Sequence, residues 1–201
     1  RQLSRGDRPE LPPKTTSFKA WASRLAEHAR SSGLRHELNH WTRLARTPPF
    51  RLPLDYPDAE GDPDANRVGD AADVTVRLPV ETARAWLQDV PAAHRTQVND
   101  VLLSALCCAV CRWAGTTGML VDLEGHGREP LFEDVDVTRT VGWFTTVFPV
   151  YLELGARTEV GAVLKSVREQ LRSVPNRGIG YGLLRYLVGD RQVCELLVSI
   201  S

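Results

Sequence analysis

Apolar residues recur along this chain in changing rhythms, and each rhythm predicts a different element. Over residues 18–30 they return every three or four positions, with Phe18, Trp21, Leu25 and His28 on one side. The hydroxyls of Thr15, Thr16 and Ser17 stand just ahead of them, so the spacing predicts a helix with an N-cap. Ser31-Ser32-Gly33 breaks that helix, and a second is expected over 34–45, with Leu34, Leu38, Trp41 and Leu44 as its buried stripe. Residues 47–72 are rich in Pro, Asp and Gly and lack a period, as in a linker or surface excursion. Val74, Val76 and Leu78 then alternate with polar residues and predict a strand, followed by a short helix over 80–89. Residues 96–114 read as a strongly apolar helix, capped by Thr96 and ended by Gly115. Strands are expected over 119–123 and 147–154, and an amphipathic helix over 158–174 with Val160, Val163, Leu164, Val167 and Leu171 on one stripe. A Gly-rich loop over 175–181, a short helix over 182–188 and a closing strand over 194–200 complete the reading. Strands alternating with helices predict an α/β layer, and no internal repeat is visible.

Composition narrows the partners. The 201 residues carry 25 basic and 25 acidic side chains, and 42% are hydrophobic. Balanced charge gives no electrostatic basis for binding nucleic acid or an anionic membrane, and no apolar run approaches the ~18 residues needed to span a bilayer. Of the four cysteines, Cys107, Cys108 and Cys111 share one helical segment and Cys194 stands apart, which is unlike a secreted disulfide framework and fits a reducing cytoplasm. The sequence opens on Arg1 without Met or an apolar signal core and closes on an apolar run, so both ends are expected to be cuts through a longer chain.

Several segments could carry chemistry. His36-Glu37-Leu38-Asn39-His40 matches the H-E-x-x-H zinc-protease pattern. At helical spacing, however, both His fall opposite the apolar stripe, and no third ligand follows, so a solvated helix face is expected instead of a metal site. Cys108-Ala109-Val110-Cys111 lies deep inside an apolar helix, not at the N-terminus where a redox C-x-x-C sits, so buried structural thiols are expected. At Glu124-Gly125-His126-Gly127-Arg128-Glu129 a strand ends in a carboxylate, two glycines, an imidazole and a guanidinium. Strand ends in α/β sheets bind ligands, but spacing alone leaves both a site and a charged turn open. The aromatics of Arg139-Thr140-Val141-Gly142-Trp143-Phe144-Thr145 are expected in the core, with a ligand-channel wall as the alternative. The glycines of Pro175-Asn176-Arg177-Gly178-Ile179-Gly180-Tyr181-Gly182 follow a helix, which is the wrong context for a phosphate loop.

Taken in order, these segments resemble the epimerisation domains of nonribosomal peptide synthetases. The run 11–21 is similar to the segment after the first half of such domains, 95–103 looks like their long helix, and 124–129 is a specific match to their catalytic acid motif. The runs 139–145 and 175–184 match two further signatures in the correct order. The resemblance covers nearly all the chain beyond residue 10 and implies a chloramphenicol-acetyltransferase-like (condensation-domain-like) α/β fold, a mixed sheet flanked by helices, incomplete at both ends. On that reading residues 1–46 end an N-terminal lobe, 47–72 link, and 73–201 form a C-terminal α/β lobe.

The family fold has two lobes around a tunnel. A peptidyl carrier domain delivers an aminoacyl or peptidyl thioester on phosphopantetheine, and the enzyme inverts its Cα from L to D; no cofactor is bound directly. Removing a proton from one face and returning one to the other suits two acid/base groups. The resemblance makes Glu124 one of them, partly desolvated with a raised pKa. The other would be the second His of a His-His-x-x-x-Asp-Gly motif in the preceding half, since His28, His36, His40, His94 and His126 include no adjacent pair. Arg128 is expected in a structural ion pair, and His126, Gly142, Trp143, Thr145, Tyr181 and Ser201 along the tunnel. Ile200 and Ser201 would stand where the family's Phe-Asn-Tyr-Leu-Gly strand begins. Implied partners are the carrier domain, neighbouring synthetase domains and the missing N-terminal lobe. The rival readings are a condensation domain, a non-catalytic carrier-docking relative and a zinc protease.

Overall fold

The computed structural model describes residues 3–6, 8, 10–47, 50–55, 67–156 and 159–200. The chain forms two compact units, each built from separated stretches. The first holds residues 1–46, 122–150 and 174–201, and the second 47–121 and 151–173. The sequence reading instead divides the chain at 46 and 72.

In the first unit, helix α1 (Phe18–Ala29) starts where Ser17 accepts the Ala20 N–H and buries Trp21 and Ala29. Helix α2 (Ser32–Leu44) buries Leu34, Glu37 and Trp41, at i, i+3 and i+7. Glu37 thus joins the apolar stripe, while His36 is exposed and His40 half-buried. Burial, with Arg43 nearby, holds His40 below the ordinary histidine pKa. Among the described residues no cluster of His, Cys, Asp and Glu could hold a metal ion.

A turn over Pro175–Gly178, with Asn176 and Arg177 in left-handed conformations, leads into α7 (Ile179–Tyr186), so the expected Gly-rich loop is helical from Ile179. Gly189 turns left-handed after α7, and Asp190 then caps α8 (Arg191–Val198) by accepting the N–H groups of Gln192 and Val193. The closing strand expected over 194–200 is therefore corrected to a helix. The run is apolar at helical spacing, with Leu197 fully buried, and a capped start lies directly upstream. Trp21, Val137, Phe144 and Ile179 form a core, and the Trp41 and Tyr181 rings pack 5.1 Å apart.

In the second unit, one helical stretch runs as α3 (Val80–Arg84), a π-helical turn (Ala85–Asp89) and α4 (Val90–His94). It outlasts the helix expected to end at 89. Pro91 has no N–H for the regular ladder, and the widened turn precedes it. Helix α5 (Val98–Ala114) is capped not by Thr96 but by Gln97, in a reciprocal box with Asp100. The Thr96 hydroxyl is left buried and, among the described residues, unpartnered. Helix α6 (Val160–Ser173) lays Val163, Leu164 and Val167 inward and packs on α5. Cys107 and Cys111 are buried with sulfurs 3.8 Å apart, whereas Cys108, expected buried, is exposed, because residues one position apart point to different sides of a helix. All four thiols are free. The alternating run Val74–Leu78 forms no strand and is exposed. Alternation supplies a pleated face, but a strand also needs a neighbour for its backbone groups.

Strands β1 (Gly118–Gly125) and β2 (Thr146–Glu153) pair with each other. They run antiparallel, since Gly118 abuts Leu152 and Gly125 abuts Thr146. Among the described residues this is the only sheet, and no helix is long and apolar enough to cross a membrane.

Candidate functional site

The last residues of β1 and the turn after it carry the densest chemistry of the first unit. Successive strand residues alternate faces, so Asp122 and Glu124 share one side of β1. Both are exposed, as is His126 just beyond the strand, while Leu123 is half-buried. The Glu124 side chain makes no hydrogen bond or ion pair among the described residues. Among the described residues, none covers that face.

The rest of the motif is committed to the turn. Gly127 takes φ +66°, and a Cβ there would overlap the carbonyl oxygen of Phe144. The Arg128 N–H donates to Nδ1 of His126 at 3.0 Å. Nδ1 must then be unprotonated, so the neutral ring carries its proton on Nε2. Nε2 lies 3.5 Å from Oε1 of Glu129, which is buried, and Oε2 of Glu129 lies 3.6 Å from Nε of Arg177.

Among the described residues, Arg128 holds the following loop. Its guanidinium donates to the carbonyls of Val137 and of Thr140, the latter at 2.8 Å, and stacks 3.9 Å over the Phe144 ring. Two carbonyls match the planar fork of donors as well as a carboxylate does. Thr16 fastens the same loop by accepting the Asp136 N–H and donating its own N–H to Asp136.

The expected tunnel residues divide. Trp143, Thr145 and Tyr181 meet at one cleft of about 440 Å³, together with Asp122 and Arg185. The two aromatics of 139–145 part company: Phe144 is core, while Trp143 is 84% exposed at the cleft. Gly142 lies outside the cleft lining, where a Cβ would come 2.6 Å from the Phe18 ring. Glu124 and His126 are not in the lining either, and Ser201 lies outside the described residues. Tyr181 donates to the Leu197 carbonyl at 3.0 Å and accepts from Arg185 at 3.1 Å. Burial pushes its phenol above the usual tyrosine value, against the pull of Arg185 and with a smaller push from Asp122.

Sequence reasoning missed Asp122, Glu129, Arg177 and Arg185. The alternation that places Glu124 also places Asp122 two residues earlier. Arg185 is one helical turn beyond Tyr181, a relation hidden by starting that helix at residue 182.

Residues 1–198 match the family described as Condensation domain. A linear gramicidin synthase of Brevibacillus parabrevis is 46% identical over 199 residues, 99% of this chain and 2% of that protein. Bacitracin synthase 3 of Bacillus licheniformis is 36% identical over 194 residues, 96% of this chain and 3% of that protein. Among solved structures, the epimerization domain from the third module of tyrocidine synthetase B is 36% identical with a TM-score of 0.77, over 94% of this chain and 41% of that one. The condensation domain of the Monacolin K polyketide synthase has the same fold at 18% identity, with a TM-score of 0.67 over 94% of this chain and 43% of that one. The chain thus spans about two fifths of the solved domains it matches and a few per cent of the synthases. It has the condensation-domain fold, and it belongs to the condensation-domain family.

Proposed function

We propose that this chain is part of an epimerisation domain of a nonribosomal peptide synthetase, which inverts the Cα of a thioester held on the phosphopantetheine arm of a carrier domain. The observation that carries the reading is the division of labour at the end of β1. His126, Arg128 and Glu129 are spent on the turn, and Glu124 alone of the motif's charged groups stands unengaged on an open face. A carboxylate so placed can accept a proton once a substrate covers it. The 36% identity to an epimerization domain supports the same reading.

The second acid/base would come from a part of the domain outside this chain, which contains no adjacent His pair. The enolate oxygen formed on proton removal needs donors, and no group of this chain is assigned to it.

The test is Cα hydrogen exchange in deuterated buffer by the complete domain acting on a loaded carrier. Glu124→Gln should suppress exchange, and exchange at the unaltered rate would refute the assignment. Epimerisation by these 201 residues alone would refute the outside partner. A condensation domain is the second reading, favoured by the family match itself; a peptide bond formed between loaded donor and acceptor, with no inversion, would select it.

A further inference from the structure

The same turn contains a second acid that the proposed chemistry does not use. Glu129 is 7% exposed, yet neither of its oxygens faces only apolar atoms. Oε1 lies 3.5 Å from Nε2 of His126 and Oε2 lies 3.6 Å from Nε of Arg177. Burying a carboxylate is costly unless it is paired, so this position asks for both partners at once. Each partner is itself constrained. His126 accepts the Arg128 N–H through Nδ1, which leaves the Nε2 side of the ring facing Glu129. Arg177 holds a left-handed backbone, φ +51°, and its carbonyl oxygen lies 3.7 Å from where a Cβ on Gly125 would sit. Gly125 is the residue after Glu124. One buried carboxylate therefore grips the turn on both sides of the acid's point of attachment: through His126 from the following residues, and through Arg177 from the loop that lies on Gly125.

We propose that Glu129 is a positioning residue for Glu124, acting through His126 and Arg177 to fix the turn that aims the acid from the end of β1. The inference rests on the proposed epimerase reading for what Glu124 does, but not for the contacts themselves. No proton passes through Glu129, and it does not touch the substrate.

The experiment uses the complete domain and a loaded carrier. Misplacing a catalytic group by about 1 Å costs on the order of a hundredfold, so Glu129→Gln, which keeps the shape and removes the charge, should lower kcat by about ten- to a hundredfold. KM should stay unchanged, because the cleft is left intact. Glu129→Asp, which keeps the charge, should recover part of the loss. In a His126→Ala background the further loss from Glu129→Gln should shrink, as expected for residues acting as one unit. An unaltered kcat in Glu129→Gln, or an undiminished loss in the His126→Ala background, would overturn the proposal.

If the unaltered domain shows no exchange at all, the epimerase reading has failed, and the contacts are judged separately. Nitrogen NMR of labelled His126 should show the Nε2–H tautomer in the unaltered domain and in Glu129→Leu alike, since the Arg128 N–H holds Nδ1 in both, but the Nε2 resonance should move and its proton exchange faster once the carboxylate is gone. A ring indifferent to that substitution would overturn the proposal on structural grounds.

Discussion

Asn176 donates its side-chain amide to Oε1 of Glu37 at 2.7 Å, joining residues 139 positions apart. Asn176 and its neighbour Arg177 both hold left-handed backbones, φ +43° and +51°, and each is tied to a buried carboxylate, Glu37 for one and Glu129 for the other. Non-Gly residues pay about 1–3 kcal/mol for such strained conformations, and persist there when their surroundings over-determine them. Asn tolerates the conformation better than most residues, which suits it to this place. Glu37 Oε2 has no partner among the described residues, so the Asn176 bond is the main compensation for burial there. Asn176→Ala keeps the strain and loses the donor, and should cost about 2–3 kcal/mol in urea unfolding. Asn176→Gly loses the donor but relieves the strain, and should cost less. Equal losses would mean that the bond matters and the backbone does not.

Gly127→Ala should be among the most damaging single changes. The new methyl group would collide with the Phe144 carbonyl, and the residue would keep a positive φ. Backbone cannot yield as a side-chain tip can, so a loss of at least about 3 kcal/mol is expected. Circular dichroism and urea unfolding would measure it, and near-normal stability would show that the turn can be rebuilt.

Arg128→Lys keeps the charge and loses the fork. A single ammonium cannot serve the Val137 and Thr140 carbonyls and also stack on Phe144 as the guanidinium does. A destabilisation of about 1–3 kcal/mol is expected, with faster amide hydrogen exchange over residues 126–140. If exchange there is unchanged, the guanidinium does not hold the loop.

Cys107 gives an alkaline signature. Burial first, then Cys111, pushes its thiol from 9.0 to about 12. Folding thus favours the protonated form. Its contribution is fully present below pH 9.0 and is lost as pH rises toward about 12, because the unfolded chain sheds the proton first. The urea midpoint should fall across that window, and Cys107→Ser should flatten the fall. At pH 8 an alkylating reagent should label exposed Cys108 before Cys107. Equal labelling would contradict the burial.

The helices α1, α2, α5 and α6 are legible in the sequence because a solvated helix with one buried face must repeat its apolar residues every three to four positions. Residues 194–200 mislead because a short apolar run suits strand and helix alike; Asp190, the cap that decides it, lies outside the run. The Val74–Leu78 alternation is a genuine pattern, but pairing depends on another segment. At the site, the motif places Glu124 at a strand end. Its exposure is not legible, since burial is a property of whatever lies opposite. Glu129 and Arg177 meet from different loops, and no local pattern announces such a pair.

Asp122 and Glu124 stand in water on the same side of β1, spaced at roughly 7 Å along an extended backbone. Water now screens each from the other. Any surface that closes over this face removes that screening from both together, and the two like charges then repel one another more strongly. A surface that brings a cation or hydrogen-bond donors to this face is therefore favoured over one that brings only apolar atoms.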